Sequence, residues 1–213
     1  MNHNKVTNLQ SLPIKTIIFD LGGVIIDIEP QRSITAFAQH INGLRQTNVY
    51  QHQLFHELET GAITSAEFRN RLRATLNTNL EDAIIDHCMI AMLGDIPGER
   101  LLLLEKMKQR YTTLLLSNTN AIHYDACAGI LHKAHRVPTF DHYFHKTYYS
   151  HLVGFRKPDI RIFELMIREN NLIPSETLFL DDLGENLKSA RSLGIITIKV
   201  TPENSILDIL KDF

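Results

Sequence analysis

The 213-residue sequence contains no tryptophan and only two cysteines, Cys88 and Cys127. These cysteines stand too far apart for a C-x-x-C metal or redox motif, so we expect reduced thiols of the kind found in the cytosol. The chain also lacks a basic excess, because 22 Lys and Arg face 24 Asp and Glu and the formal net charge is −2. This balance argues against a protein that binds nucleic acid.

Long hydrophobic runs and targeting signals are missing as well. The longest apolar stretch, 14–28, contains Lys15, Asp20 and Asp27 and is too short and too charged to span a bilayer. The polar N-terminal segment MNHNKVTNLQSLP lacks the apolar region of a signal peptide. We therefore expect a cytoplasmic protein that binds neither membranes nor nucleic acid, as a monomer or weak dimer.

Short apolar runs alternate with helical patterns along most of the chain. Hydrophobic residues make up 44% of the sequence, which is enough to fill a complete core. The predicted strands are IKTIIF at 14–19, TTLLLS at 112–117, TLFLDD at 177–182 and IITIKV at 195–200. Strands that alternate with helices predict an α/β fold, in which a Rossmann-like parallel sheet is covered by helices on both faces.

One segment, 29–96, interrupts this alternation with helical patterns only. Within it, TSAE at 64–67 is typical of a capping box that opens a helix, and Asn79 is the expected cap of the next helix. Because the segment follows the first strand directly, we expect it to form a helical cap domain above the sheet. Residues 1–28 and 97–213 would then form the α/β core domain.

Three predicted strands end in polar residues, namely Asp20, Ser117 and the pair Asp181-Asp182. The carboxyl ends of parallel strands meet at one edge of the sheet, where ligands bind. An aspartate at such an edge can attack phosphorus and form an acyl phosphate. Three carboxylates facing a phosphate need compensating positive charge, and Lys157 together with Mg²⁺ would supply it.

Each of these residues has an expected role in that chemistry. Magnesium prefers oxygen ligands, and here the expected ones are the carboxylates of Asp20 and Asp182 and the carbonyl of Gly22, supported by Asp181. Ser117, Asn118 and Lys157 are the expected phosphate-binding residues. Asp20 and Lys157 are the expected catalytic residues. Taken singly, such residues are more often turn residues or helix caps; their coincidence at one sheet edge favours a site.

Other residues allow weaker functional interpretations. The histidine pairs His132 and His135, and His142 and His145, have a spacing that can bind zinc, but no acidic or cysteine partner accompanies them, so we expect a structural or surface role. The candidates for substrate contact are His123 and, in the cap, Phe55, His56 and Glu59, although core packing explains Phe55 equally well.

Four sequence motifs occur in an order that resembles the haloacid dehalogenase superfamily, in its phosphatase branch. They are FDLGGVIID at 19–27, LLLSNTN at 114–120, GFRKPD at 154–159 and LFLDDLGENLKSARSLGI at 178–195. The sequence is similar, more narrowly, to bacterial α-D-glucose-1-phosphate phosphatases. The resemblance implies a magnesium-dependent phosphatase that acts on a small phosphomonoester such as glucose 1-phosphate, with Asp20 as nucleophile.

One position departs from the pattern that this resemblance implies. Most phosphatases of the superfamily carry a second aspartate two residues after the nucleophile, whereas this chain has Gly22. The lost acid–base group leaves open a non-catalytic or weakly active binding or regulatory protein. A phosphomutase and a 2-haloacid dehalogenase are further alternatives, but mutases usually keep that acid. Dehalogenases need no metal, so the pair Asp181-Asp182 argues against that reading.

Overall fold

The computed structural model describes residues 13–41 and 53–213. Its sheet has five parallel strands in the order β3-β2-β1-β4-β5. The strands are β1 (Thr16–Phe19), β2 (Thr112–Ser117), β3 (Lys146–Tyr149), β4 (Thr177–Asp181) and β5 (Ile196–Lys199). The architecture confirms the predicted Rossmann-like α/β fold.

Helices cover both faces of this sheet. Those of the core are α5 (Gly98–Arg110), α6 (Ala121–His135), α7 (Ser150–Val153), α8 (Ile160–Asn170), α9 (Gly184–Ser192) and α10 (Ile206–Ile209). Ile17 and Phe19 belong to one buried apolar cluster and Ile18 to another, because successive strand side chains point to opposite faces. No helix in the described ranges combines the length and the apolar character needed to cross a membrane.

Four helices lie between β1 and α5, in the segment that the sequence predicts to be the cap. They are α1 (Pro30–His40), α2 (Gln53–Glu59), α3 (Ser65–Leu76) and α4 (Asp82–Ile90). Together with Ile122 of α6 they enclose an apolar cluster, in which the ring centroids of Phe55 and Phe68 lie 5.1 Å apart in an edge-on arrangement. The side chain of Thr64 caps α3 by accepting a hydrogen bond from the backbone N–H of Glu67 at 3.2 Å, as the sequence predicts.

The start of α4 differs from the prediction, since Glu81 and not Asn79 precedes the helix. The guanidinium of Arg73 donates to the carbonyl of Leu80 at 2.6 Å and also pairs with Asp82. These contacts hold the connection after α3 in place, so the next helix begins later. The sequence also predicts that the first helix of this segment ends at Asn42-Gly43, but these residues lie outside the described ranges, as does almost all of the polar N-terminal segment.

Two antiparallel linkers join the cap to the core. The backbone N–H of Asp27 donates to the carbonyl of Asp95 at 3.0 Å, and that of Gly94 donates to the carbonyl of Asp27 at 2.8 Å. A third hydrogen bond runs from the N–H of Glu29 to the carbonyl of Met92 at 2.8 Å. These contacts support the division of the chain at 28/29 and 96/97, which we propose as the domain boundary.

The edge strand β3 is not among the strands predicted from the sequence. β3 pairs with β2 in parallel, so that Leu116 lies opposite Tyr148 and Ser117 opposite Tyr149. Both tyrosines are buried, whereas Lys146 at the start of the strand is exposed. A four-residue run that begins with a charged residue carries too little pattern to predict a strand, and pairing with β2 decides it.

Candidate active site

The predicted site residues lie together at the carboxyl edge of the sheet. Phe19 of β1 is in register with Leu115 of β2 and Leu180 of β4, so the residues that follow them are neighbours. The exposed fractions of the residues at this edge are 7% for Asp20, 3% for Ser117 and 0% for Asp181. The strand ends thus bring polar groups into a region that excludes bulk water.

Lys157 occupies the centre of this cluster and is itself 1% exposed. Its ammonium group lies 2.7 Å from Oδ1 of Asp20 and 2.7 Å from Oδ2 of Asp181, and it donates to the carbonyl of Leu116 at 3.0 Å. An ammonium group has three donors, and each has an acceptor here. The position of the ammonium beside Asp20 is therefore fixed by hydrogen bonds rather than by packing alone.

The carboxylate of Asp20 is held through one of its two oxygens. Oδ1 accepts from the backbone N–H of Leu21 at 2.7 Å and faces the Lys157 ammonium. Both of these donors, from the described part of the chain, reach the same oxygen, which leaves Oδ2 as the atom available to a ligand. A carboxylate oriented in this way can present one oxygen to an electrophile.

Asp181 makes more contacts than its neighbour Asp182. Its Oδ1 accepts from the backbone N–H of Leu183 at 2.8 Å and from Nδ2 of Asn186 at 3.0 Å, while Oδ2 faces Lys157. Asn186, 1% exposed, was not predicted as part of the site. The signal that could have identified it is its place in the first turn of α9, where a short amide side chain reaches back toward the strand end.

Burial has the largest effect on the pKa values in this cluster, and the charges of neighbouring side chains come next. Burial raises the pKa of Asp20, Lys157 opposes the shift, and Asp181 and Asp182 add to it. Burial also raises the pKa of Asp182, with Asp181 as the next cause. For Lys157, burial lowers the pKa, but the charges of Asp20 and Asp181 outweigh it and the net shift is upward.

These three acids have a donor set that fits a divalent cation. One oxygen from each of Asp20, Asp181 and Asp182 lies within 4.8 Å of the others, and among the described residues no other group of acids, histidines or cysteines meets this criterion. Three carboxylates against one ammonium leave an excess of negative charge. A hard, oxygen-only ligand set of this charge suits Mg²⁺.

The turn after Asp20 brings its backbone close to the Asp182 carboxylate. Gly23 has a φ of +71°, and a Cβ at this position would lie 2.6 Å from Oδ2 of Asp182. A side chain there would displace the Asp182 carboxylate from the cluster. At Gly22 a Cβ would meet Cδ1 of Ile28 at 3.3 Å, so the Ile28 side chain crowds the position where the Cβ of a second acid would lie. The nearby acids do not replace it, because Asp27 pairs with Arg100 at 2.7 Å and Glu29 is exposed.

Asn118 connects the loop after β2 with the loop that carries Lys157. Its Oδ1 accepts from the backbone N–H of Lys157 at 2.8 Å, and its Nδ2 donates to the Lys157 carbonyl at 2.8 Å. Both ends of the amide are therefore engaged. The side chain holds Lys157 in place, and a contact from Asn118 to a phosphoryl group would come from its backbone N–H or from the second N–H of Nδ2.

Ser150 supports the loop that begins at Ser117 and was not predicted from the sequence. Its hydroxyl donates to the carbonyl of Thr119 at 2.9 Å and accepts from the N–H of Thr119 at 2.9 Å. The same loop ends at Asn120, whose side chain caps α6 by accepting from the N–H of His123 at 3.1 Å. These bonds fix the backbone that follows Asn118.

Three of the histidines considered in the sequence analysis make structural contacts. Nε2 of His123 lies 3.0 Å from the carbonyl of Met89, so it joins α6 of the core to α4 of the cap. Nε2 of His135 lies 2.8 Å from the carbonyl of Ile96, and Nδ1 of His145 accepts from the N–H of Thr113 at 3.1 Å. His132 and His142 are exposed.

The three cap candidates differ in environment. Phe55 is 2% exposed and packs inside the cap, whereas His56 is exposed. Nε of Arg156 lies 2.9 Å from a carboxylate oxygen of Glu59, so this pair connects the cap with the loop that carries Lys157. Of the three, Glu59 is the residue that the structure places next to the site.

The chain matches the family described as haloacid dehalogenase-like hydrolase over residues 14–194. It belongs to this family. It is 33% identical over 196 residues to a D-ribitol-5-phosphate phosphatase of Bacteroides thetaiotaomicron, an alignment that covers 90% of this chain and 93% of the relative. This similarity over nearly the full length places the hydrolase in the phosphatase branch of the family.

The same relationship is seen among solved structures. A haloacid dehalogenase family enzyme of B. thetaiotaomicron, crystallised with magnesium and inorganic phosphate, is 34% identical to the chain and superposes with a TM-score of 0.79. The match covers 88% of this chain and 94% of that one. By contrast, an L-2-haloacid dehalogenase is 18% identical with a TM-score of 0.59, covers 91% of this chain and 88% of its own, and shares the fold alone.

Proposed function

We propose that the protein is a magnesium-dependent phosphatase of small phosphorylated sugars or polyols, acting through a phospho-aspartate on Asp20. The observation that carries the proposal is the Asp20 carboxylate, buried at the strand end with Oδ1 held by Leu21 and Lys157 and with Oδ2 available. A carboxylate in this setting is suited to nucleophilic attack. The neighbouring ammonium is placed to stabilise the charge of a transferring phosphoryl group.

In the first step, Oδ2 of Asp20 attacks phosphorus. The new oxygen–phosphorus bond forms as the bond from phosphorus to the ester oxygen breaks, and the leaving oxygen takes up a proton from water to give the alcohol. Lys157 holds the carboxylate in the attacking orientation, while Asp181 anchors the ammonium from the other side. The Ser117 hydroxyl and the backbone N–H of Asn118, at the end of β2, are placed to bind phosphoryl oxygens.

In the second step, water attacks the phosphorus of the phospho-aspartate. The bond between Asp20 and phosphorus breaks, inorganic phosphate leaves, and the carboxylate is regenerated. Gly22 offers no side chain to protonate the leaving alcohol or to activate this water. The rate of the first step should therefore depend on how well the alcohol leaves, and an anomeric phosphate such as glucose 1-phosphate would suffer least.

The metal proposal rests on the charge and donors of the same cluster. Asp20, Asp182 and the carbonyl of Gly22 would hold Mg²⁺, and Asp181 would orient Lys157 beside them. When bound, the ion supplies positive charge that offsets the repulsion between these carboxylates and the substrate phosphate. The magnesium and phosphate in the B. thetaiotaomicron structure support this assignment for a relative that is 34% identical.

The substrate class follows from the cap and from the relative. Helices α1 to α4 follow the nucleophile loop directly and form a separate layer beside the carboxyl edge, so a folded phosphoprotein has little access to Asp20. The 33% identical relative is a D-ribitol-5-phosphate phosphatase, which favours an open-chain or cyclic sugar phosphate of similar size. D-ribitol 5-phosphate and glucose 1-phosphate are accordingly the first two substrates to test.

A hydrolysis assay tests the proposal directly. The purified protein is incubated with a panel containing D-ribitol 5-phosphate, glucose 1-phosphate, 4-nitrophenyl phosphate and a phosphopeptide, and released phosphate is measured with Mg²⁺ and with EDTA. We expect turnover of the small esters that EDTA abolishes and Mg²⁺ restores. Turnover in EDTA equal to that in Mg²⁺ would contradict the metal assignment, and turnover of none of the esters would contradict the phosphatase.

The non-catalytic alternative is opposed by one specific feature. Asp20, Lys157 and Asp181 are all buried, and even paired buried charges are often less stable than well-packed apolar side chains of similar volume. A protein that had lost catalysis would gain stability from apolar replacements at these positions. Retention of all three, with Asp182 alongside, supports a working site.

A further inference from the structure

Two glutamates of α2 form ion pairs with arginines, one within the cap and one with the core. Oε2 of Glu57 lies 2.5 Å from Arg71 of α3, inside the cap. Oε2 of Glu59 lies 2.9 Å from Arg156, across the boundary between cap and core. Both pairs join a glutamate of α2 to an arginine, so any difference between the two carboxylates reflects their surroundings.

The surroundings of the two carboxylates differ although their exposed fractions are similar. The side chains are 23% exposed for Glu57 and 20% for Glu59. The hydrogen bond from Arg71 lowers the pKa of Glu57, whereas burial raises the pKa of Glu59. Glu59 is thus partly accessible to solvent, although protein encloses it more closely than it encloses Glu57.

The Glu59–Arg156 ion pair lies on the loop that carries Lys157. Arg156 directly precedes Lys157, whose ammonium lies 2.7 Å from Asp20. Burial raises the pKa of Glu59, and the charges of Arg156 and then Lys157 oppose this shift. Glu59 is thus a cap carboxylate paired with the loop that supplies Lys157 to the site.

The position of Glu59 is set by the backbone that follows it. Gly61 has a φ of +66°, and a Cβ at this residue would lie 2.2 Å from the carbonyl oxygen of His151 in α7. The turn after α2 therefore lies directly on the core, with no room for a side chain. This contact fixes the position of Glu59 relative to the loop that carries Lys157.

The Glu59 pair leaves hydrogen-bonding capacity unused. The buried Nε of Arg156 lies close to Oε2, but the geometry is not that of a hydrogen bond, and no other described residue accepts from it. No described residue donates to the second carboxylate oxygen. An ionised carboxylate offers about four acceptor sites and has no donor of its own, so it suits a ligand rich in hydroxyl groups.

We propose that Glu59, oriented by Arg156, accepts hydrogen bonds from the hydroxyl groups of the sugar or polyol and is a specificity-determining residue of the phosphatase. The inference rests on the proposed function and names the group that recognises the alcohol part of the ester. The phosphoryl part is bound by the core. Arg156 also offsets the negative charge that Glu59 brings near an anionic substrate.

The test compares two five-carbon phosphate esters that differ in their hydroxyl groups. D-ribitol 5-phosphate carries them, and n-pentyl phosphate does not. The ratio of kcat/KM for the two esters is measured for the wild-type protein, for Glu59→Gln and for the matched control Glu57→Gln. In Glu59→Gln we expect this ratio to fall by about 10- to 100-fold, mainly through KM for the ribitol ester, because hydrogen bonds to a charged acceptor are lost.

The control and a conservative variant separate recognition from structure. Glu57→Gln should leave the ratio within about 2-fold, since that carboxylate belongs to an exposed pair inside the cap. Glu59→Asp keeps the charge with a shorter reach and should recover part of the ratio. Glu59→Asp also tests the proposal if Glu59→Gln fails to fold. A ratio in Glu59→Asp equal to that of the wild-type protein would count against recognition by a positioned carboxylate.

Several outcomes would overturn the inference. If Glu59→Gln lowers kcat/KM equally for both esters, Glu59 holds the cap in place and does not read hydroxyl groups. An unchanged ratio with unchanged rates would remove it from the site altogether. If the wild-type protein hydrolyses neither ester nor any other in the panel, the proposed phosphatase itself fails, which is a different result from active enzyme with an unaltered ratio.

Discussion

The carboxyl edge of the sheet and the cap use charged residues in different ways. At the sheet edge, Lys157 has an acceptor for each of its donors, and both oxygens of Asp181 are bonded. In the cap, Glu59 has a single partner and a free oxygen. At the sheet edge the protein supplies the partners of Lys157 and Asp181 and leaves one oxygen of Asp20 open, whereas in the cap Glu59 keeps capacity for a ligand.

The difference separates chemistry from recognition. A group that must attack phosphorus needs one orientation, and a buried, fully bonded network provides it. A group that binds the variable part of a substrate needs unused hydrogen-bonding sites in an accessible cleft. We therefore expect substitutions at the sheet edge to affect all substrates alike, and substitutions in the cap to affect substrates selectively.

The largest expected effect is that of Asp20→Asn. The amide is close in shape to the carboxylate but is a poor nucleophile, so kcat should fall by at least about 10⁴-fold for every ester tested. Released phosphate measures kcat, and circular dichroism confirms that the variant is folded. Near-wild-type turnover by the folded variant would falsify the covalent mechanism.

The next effect concerns stability at the sheet edge. Lys157→Met leaves Asp20 and Asp181 buried without their cation, and breaking a buried pair in this way should lower the free energy of unfolding by about 3–5 kcal/mol. Lys15→Met is the control, because Lys15 pairs with Glu176 at a similar 2.8 Å but its side chain is 70% exposed. Its effect should stay below about 1 kcal/mol. Urea denaturation in EDTA measures both, and equal losses would show that burial does not distinguish the two pairs.

The third prediction concerns Gly22. Without an acid at this position, the rate of the first step should depend steeply on the leaving group. We expect 4-nitrophenyl phosphate to react about 10²–10⁴-fold faster than n-pentyl phosphate, the range typically contributed by acid–base catalysis. Single-turnover kinetics measure the chemical step. Equal rates for the two esters would indicate that another residue supplies the proton.

The smallest expected effect tests how the cap rests on the core. Gly61→Ala adds a Cβ that would lie 2.2 Å from the His151 carbonyl oxygen, so the turn after α2 must shift. We expect a loss of about 1–3 kcal/mol in unfolding free energy and a smaller ratio of activity on D-ribitol 5-phosphate to that on n-pentyl phosphate. Gly129→Ala, within α6 and with nothing within 4 Å of the added Cβ, should instead be neutral or stabilise by up to about 1 kcal/mol. Similar results for both variants would contradict the close contact at Gly61.

Much of the fold and of the cluster could be predicted from the sequence. Asp20, Ser117 and Asp181 each follow or end an apolar run, and strand ends of a parallel sheet share an edge whatever the side chains around them. The edge strand β3 could not be predicted in this way, because its four residues become a strand only by pairing with β2. The hydrogen bonds of Asn118 with Lys157 join residues far apart in the chain, so no local pattern indicates them.

By itself, the sequence determined the α/β alternation, the inserted helical segment and the identity of the residues at the strand ends, because hydrophobic period and strand termini are local properties. Only the tertiary structure decided which oxygen of Asp20 stays available, that Ile28 crowds the position where the Cβ of a second acid would lie, and that Glu59 faces Arg156. These features depend on distances between segments that are remote along the chain. The space between cap and core, where the inferred specificity of the enzyme lies, exists only after both have folded.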